Sequence, residues 1–289
     1  MAEAAGHNER IEGVGGLRLF VRSWRPQGEA RGVVVIVPGF NSHSGYYQWV
    51  AGQFTAMGLA VYAVDLRGRG NSDGERFYVA NFADYINDVD RLVKLAKSRE
   101  AGLPLFLLGH SAGGVVSCLY TIEHQTELSG LICESFAHQV PAPAFVLAVL
   151  KGLSHLVPHA HALRLNNQDF SRDPEVVSAM DTDPLIAHET QPTQTVAEMV
   201  RADERLKKEF PRIKLPVLIL HGTSDKATKP SGSRFFYQTA GSRDKTLKLY
   251  DGHYHDLLND WHKERVMADI TGWISGHLPA VSLMSEAGA

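Results

Sequence analysis

Short, largely apolar runs punctuate the chain at residues 33–37, 60–64, 105–108, 131–133, 217–220 and 247–250. Runs of this length, rich in Val, Ile and Leu, suit strands buried on both faces, as in a parallel sheet. Between most of them the pattern changes to helical spacing. Over 82–97, Phe82, Tyr85, Ile86, Val89, Leu92, Val93 and Ala96 share one face, and Asn81 stands in the N-cap position. Trp261, Val266, Ile270, Trp273 and Ile274 outline a last helix. Strands alternating with helices predict βαβ units around a parallel central sheet. Residues 17–24 instead alternate Leu, Leu and Val with polar partners, which predicts a half-exposed antiparallel edge strand.

One stretch breaks the alternation. Residues 136–195 carry no strand-like run, and prolines at 141, 143, 158, 174, 184 and 192 divide them into short helical pieces. Within 141–157, 11 of 17 residues are apolar and only Lys151 is charged. That composition serves either a packed helical insertion or a cap whose inner face meets an apolar substrate, with Phe145 a candidate contact. The predicted organisation is a core of 1–135 and 196–279, a helical cap of 136–195 inserted after the sixth strand, and a frayed tail of 280–289.

Composition narrows the class. The chain has 289 residues, 44% apolar and 21% charged, which is globular and excludes global disorder. A net charge of −3 offers no basic field for nucleic acid. Two cysteines, Cys118 and Cys133, build neither a disulfide framework nor a Cys-rich zinc site. Residues 1–16 are polar and Gly-rich, unlike a signal peptide, and the apolar run at 144–150 is too short to span a bilayer. The expectation is a cytoplasmic protein, with peripheral membrane contact through the apolar cap segment a compatible alternative. The sequence specifies no oligomeric state.

Gly109-His110-Ser111-Ala112-Gly113 follows the strand-like run 105–108 and precedes a helical run from Gly114 to His124. This is G-x-S-x-G in the strand–turn–helix setting that gives the pattern meaning. So tight a turn needs very small residues two before and two after the serine. It lifts the Ser111 hydroxyl off the end of a strand and aims the next helix's free N–H groups at developing negative charge. A serine hydroxyl is a weak nucleophile, so it needs a base, and the base needs an orienting acid. His221-Gly222-Thr223-Ser224-Asp225 follows a strand and offers Asp225 as the acid. After the last strand, Asp251-Gly252-His253-Tyr254-His255-Asp256 offers two histidines as the base. The order Ser, Asp, His along the chain is that of this turn's usual fold.

Several further segments carry a family resemblance. These are Gly45-Tyr46-Tyr47, Asp65-Leu66-Arg67-Gly68-Arg69-Gly70-Asn71-Ser72-Asp73-Gly74, the serine turn, Asp183-Pro184-Leu185-Ile186, and the stretches 215–222 and 244–250. From about Arg22 to Leu278 the chain resembles the monoglyceride lipase and lysophospholipase branch of the α/β-hydrolases. The resemblance implies a mainly parallel, roughly eight-stranded sheet flanked by helices, and Ser-dependent hydrolysis of single-chain carboxylic esters without a cofactor. It selects His255 as the base, because the family's base follows a Tyr, and leaves His253 as a loop residue. By the same resemblance the oxyanion is held by the backbone N–H groups of Ala112 and Phe40. Members commonly have His-Gly and a Met where this chain has Pro38-Gly39 and Ala112.

Other candidates are weaker. Glu134 stands where some α/β-hydrolases carry their acid, and is an alternative acid or a polar contact in the pocket. His43 and Tyr46, near the oxyanion loop, are candidate substrate contacts. Among 14 histidines, His159-x-His161, His253-x-His255 and His188-Glu189 lack a third metal-ligand pattern, so no metal is expected. Gly68-Arg69-Gly70 lacks the third glycine of a dinucleotide turn. The fold also hosts thioester, peptide and acyl-transfer chemistry, and ligand receptors, so fold alone does not choose among them.

Overall fold

A computed structural model describes residues 6–140 and 142–279. Along the first half run β1 (His7–Glu12), β2 (Arg18–Trp24), β3 (Gly32–Val37), α1 (Gln48–Ala56), β4 (Leu59–Val64), α2 (Phe82–Arg99), β5 (Leu105–His110), α3 (Ala112–His124) and β6 (Gly130–Glu134). Then come α4 (Ala144–Leu153), β7 (His161–Leu163), α5 (Pro174–Thr182), β8 (Gln191–Pro192) and α6 (Thr193–Glu209). The chain closes with β9 (Val217–Gly222), α7 (Pro230–Thr239), β10 (Lys245–Tyr250) and α8 (Lys263–His277).

Eight strands form one sheet in the order β1-β2-β4-β3-β5-β6-β9-β10. From β4 to β10 every neighbouring pair is parallel. The apolar runs explain this. β3, β4 and β5 are buried at every position, and successive β3 residues serve opposite layers. Val33, Val35 and Val37 pack with α2 and α3, whereas Val34 and Ile36 pack with α1 and α8.

Four local expectations change. The alternating run at 17–24 does form β2, antiparallel to β4, but it is not the edge, because β1 pairs along its other side. β1 reads His-Asn-Glu-Arg-Ile-Glu and has no apolar alternation to betray it. Asn81 occupies the N-cap of α2 without a side-chain cap bond; Glu198 of α6 accepts from Phe82 N–H at 2.7 Å instead. The insertion, expected to lack strands, contains the short antiparallel pair β7–β8. The boundary expected at 195 falls in the first turn of α6, which starts at Thr193 and lays Ala202 and Leu206 into the core. The expected tail of 280–289 lies outside the described residues.

Polar ties fasten the insertion over the sheet. His43 Nε2–H and Tyr46 O–H both donate to Asp183 Oδ2 at 2.8 Å. Asn41 donates to Asn167, and Arg172 to Asp260. Arg69 pairs with Glu189 and donates to Gln191 at 2.6 Å, all three being almost fully buried. Inside the insertion, Phe170, Met180 and Ile186 make a small core of their own.

Candidate active site

Ser111 sits between the last residue of β5 and the first of α3, with φ 53° and ψ −119°. A non-glycine residue in that region is strained by about 1–3 kcal/mol and persists only where its surroundings enforce it. The surroundings here are two chain crossings. A Cβ on Gly109 would lie 2.5 Å from Gly113 O and from Ser117 Oγ, and one on Gly113 would strike the carbonyls of Val37 and Pro38. Only glycine lets the turn close, which is the small-residue requirement read from the motif.

Asp225 and His255 come from neighbouring parallel strands. β9 and β10 end in register at Gly222 and Tyr250, so their following loops emerge side by side. Ser224 N–H donates to His253 O at 3.0 Å, and a Cβ on Gly222 would run into the His253 and Tyr254 carbonyls. The loops are thereby locked together. His255 Nδ1 lies 2.8 Å from Asp225 Oδ2, and His255 Nε2 lies 2.8 Å from Ser111 Oγ. With Nδ1–H donating to the carboxylate, Nε2 is left to accept from the serine hydroxyl.

The carboxylate is heavily served. Oδ1 accepts from the N–H groups of Ala227 and Thr228, each at 2.8 Å. Oδ2 also accepts from Thr228 Oγ1 at 2.8 Å and lies 3.0 Å from His221 Nε2. Burial works against a charged Asp225, but the His255 imidazole and the His221 hydrogen bond outweigh it and hold the carboxyl far below the usual carboxylate range. Ser233 lies 2.7 Å from the far nitrogen of His221 and fixes that ring in turn. His221 and Thr228 were not singled out in the sequence. The first was visible as the opening residue of the Asp225 segment, the second only as a hydroxyl three residues after Asp225.

His255 is fully buried, and the edge of Phe170, a residue of the insertion, meets its ring at 4.9 Å between centroids and 87°. A cavity of about 290 Å³ opens beside the serine. Phe40, Ser111, Ala112 and His255 line it together with Leu147, Leu163, Leu165, Val196 and Met199. Gly39 presses on Ser111, since a Cβ there would be 2.8 Å from Ser111 Cβ. The next residue, Phe40, lies under the Arg69 guanidinium, 3.7 Å from carbon to ring centroid.

The remaining candidates lie elsewhere. It is Asp225 that takes His255 Nδ1, and Glu134 does not line the cavity. It ends β6 fully buried and accepts from Leu257 N–H at 2.7 Å, and burial with Asp256 alongside pushes its carboxyl well above the usual range. His43 and Tyr46 are taken up by Asp183 rather than by the cavity. Burial and the Asp183 hydrogen bond push the Tyr46 phenol up. Phe145 points outward, 71% exposed, while Leu147 of the same helix lines the cavity. His110, Glu134 and Asp256 place one possible ligand atom each within 4.8 Å of one another, as do Asp90, His124 and Glu127. Neither set lines the cavity.

The sheet order, the turn at Ser111 and the covering insertion define an α/β-hydrolase. A family model described as "Serine aminopeptidase, S33" matches residues 28–262, and the chain belongs to that family. It is 34% identical over 281 residues to a monoacylglycerol lipase of Mycolicibacterium smegmatis, covering 96% of this chain and 100% of the relative. It is 32% identical to the monoglyceride lipase of Rattus norvegicus, over 90% of this chain and 88% of that one. The crystal structure of Paleococcus ferrophilus monoacylglycerol lipase superposes with a TM-score of 0.82 at 30% identity, covering 90% of this chain and 99% of that chain.

Proposed function

We propose that the protein is a serine hydrolase of carboxylic esters that takes single-chain acyl substrates through an acyl-enzyme. The observation that carries this reading is the unbroken hydrogen-bond chain from Ser111 through His255 to Asp225, opening on a mainly apolar cavity. Ser111 Oγ attacks the acyl carbon while His255 Nε2 takes its proton, and Asp225 holds the tautomer and stabilises the imidazolium. The backbone N–H groups of Phe40 and Ala112 stabilise the oxyanion, each worth on the order of 100- to 1000-fold in rate. His255 then protonates the leaving alcohol and afterwards activates water. The monoacylglycerol lipase relatives support a monoacylglycerol as the substrate, and the resemblance in the sequence extends the class to lysophospholipids.

A second cavity of about 390 Å³, lined by Asn41, Asn166, Asn167, Asp181 and Glu189, shares Leu165 with the first and supports a polar seat for the alcohol. The insertion acts as the lid over both. On α4, Phe145, Val149 and Leu153 follow at every fourth residue on the exposed side, continued by Leu156 and Val157. An exposed apolar face on the element that roofs the acyl cavity supports peripheral contact with a lipid surface, from which substrate enters. No helix among the described residues is long and apolar enough to cross a membrane. The reading places the enzyme in the cytoplasm.

The test pairs labelling with turnover. A fluorophosphonate probe is expected to label the wild type and not Ser111→Ala, whose melting temperature stays close to the wild type. A chain-length series of nitrophenyl esters is expected to turn over, beside aminoacyl amides that do not. Turnover of the amides alone overturns the ester reading.

A further inference from the structure

Arg69 stands on the short turn Gly68-Arg69-Gly70 that follows β4. Gly68 has φ 68° and Gly70 φ 50°, and a Cβ on Gly70 would fall on the Asp65 carboxylate, so the turn wraps tightly round that side chain. Asp65 Oδ2 accepts from Asn71 N–H at 2.8 Å, and its Oδ1 accepts from Ser44 N–H at 2.7 Å. One carboxylate thus pins the arginine turn to the loop that carries Gly39 and Phe40. From there the guanidinium reaches over the Phe40 ring, 3.7 Å from carbon to centroid. Its two terminal nitrogens go to the insertion: Nη1 pairs with Glu189, and Nη2 donates to Gln191 Oε1 at 2.6 Å. Gln191 Nε2 donates to Glu189 Oε1 at 2.7 Å and closes the group.

A buried cation is a costly way to fasten an insertion, because packed apolar side chains of similar volume often hold as well or better. A planar guanidinium supplies what they do not: a flat face for the ring, and a fork whose two arms are set by separate partners. The partners also meet different spaces. Phe40 and Gln191 line the cavity beside Ser111, and Glu189 lines the second cavity. Phe40 N–H, meanwhile, has no hydrogen-bond partner among the described residues. With no bond of its own, it takes its direction from how the residue is seated. That seat is Gly39 against Ser111 on one side and the ring under Arg69 on the other.

We infer that Arg69 is a positioning residue for the oxyanion: it seats Phe40 so that the Phe40 N–H faces the carbonyl oxygen attacked at Ser111, and it does so only while Glu189 and Gln191 of the insertion hold the guanidinium. This rests on the ester-hydrolase reading and deepens it, because the insertion then completes the oxyanion site as well as covering the cavity. Arg69 itself touches no reacting atom. A displaced donor loses most where negative charge develops, in the transition state, so the effect of Arg69 falls on kcat rather than on KM.

The test uses the full chain and nitrophenyl octanoate, with each kcat referred to the sites titrated to completion by a fluorophosphonate. Arg69→Met is combined with Glu189→Gln, so that no buried charge is left unpaired and the variant folds. Phe40→Leu keeps the N–H and removes the ring. Each is expected to lower kcat by about 10- to 100-fold, with KM within about threefold of the wild type. Affinity for octyl trifluoromethyl ketone, whose adduct on Ser111 carries the oxyanion, is expected to fall by the same factor as kcat/KM. Joined in one chain, the changes are expected to cost little more than the larger alone, because both release the same N–H. A merely structural tie would lower the melting temperature and leave kcat per titrated site and ketone affinity unchanged, and that result overturns the inference. So does a loss confined to KM, or losses that multiply when the changes are joined. Wild-type turnover that the variants match sinks this inference alone, whereas no turnover of any ester and no labelling of Ser111 sinks the ester reading itself.

Discussion

In the core, β3, β4 and β5 bury every side chain. In the insertion, α4 turns Phe145 and Val149 to the outside while Leu147 lines the cavity beside Ser111, so the helix is apolar on both sides. The two regions are therefore held by different forces. Close packing on both faces makes the sheet a rigid frame, on which strand ends fix the positions of Ser111, Asp225 and His255 to within hydrogen-bond tolerance. The insertion rests on its small inner cluster and a handful of ties, with Arg69–Glu189 and the His43–Tyr46–Asp183 group the most buried. A frame held by packing fails through voids, whereas an insertion held by ties fails one bond at a time.

The largest expected effect breaks the frame's chemistry while sparing its packing. Asp225→Asn should lower kcat by about 10⁴-fold, because an amide no longer enforces the His255 tautomer that accepts the serine proton. Steady-state kinetics beside a melting curve checks this, and a loss smaller than tenfold would reopen the choice of acid. Next comes the deepest tie. Arg69→Met leaves Glu189 charged, buried and unpaired, which should cost about 3–5 kcal/mol in urea unfolding. Adding Glu189→Gln should recover most of that, since the unpaired charge is gone. Equal stability of the single and double variants would show that the pair does not hold the insertion.

Asp183 tests the second tie and its pH dependence. Although burial opposes it, the hydrogen bonds from His43, Leu185 N–H and Tyr46 hold this carboxyl below its ordinary value. The unfolded chain, with a value of about 3.9, then binds more protons than the native state in the window below pH 4. The stabilisation is complete above that window and is lost as the pH falls through it. Asp183→Asn should therefore melt below the wild type at pH 7, by about 1 kcal/mol, and the gap should narrow toward pH 3. A gap that widens on acidification contradicts this. The smallest effect on folding is expected from Phe145→Ser with Leu156→Ser, within about 0.5 kcal/mol of the wild type because both side chains are solvent-exposed. Flotation with phospholipid vesicles should nevertheless fall, and undiminished flotation would move the lipid contact off α4.

Much of the frame was legible in the chain because its signals are local. A strand buried on both faces has to be apolar throughout, and the turn at Ser111 admits nothing larger than glycine at 109 and 113. Both demands act within a few residues. β1 escaped because an edge strand is held by backbone pairing with β2, and polar side chains suit it as well as any. Asn81 misled in a similar way: the residue type fits a cap, but Glu198, 117 positions further along, arrives to take the N–H of Phe82. Glu134 read as a pocket residue because it follows a strand end, yet the chain folds back over it and delivers Leu257 N–H to its carboxylate.

The chain by itself determined the alternation of strands and helices, the position of the serine turn, and the order in which Ser111, Asp225 and His255 occur. Each follows from periodicity or from steric limits that neighbouring residues impose on one another. Only the tertiary structure decided which side chains meet. It brought His255 to Ser111 across 144 positions, set His221 and Thr228 on Asp225, and occupied His43 and Tyr46 with Asp183. Hydrogen bonds between distant residues depend on how strand ends and the insertion converge in space, and no spacing along a chain encodes that distance.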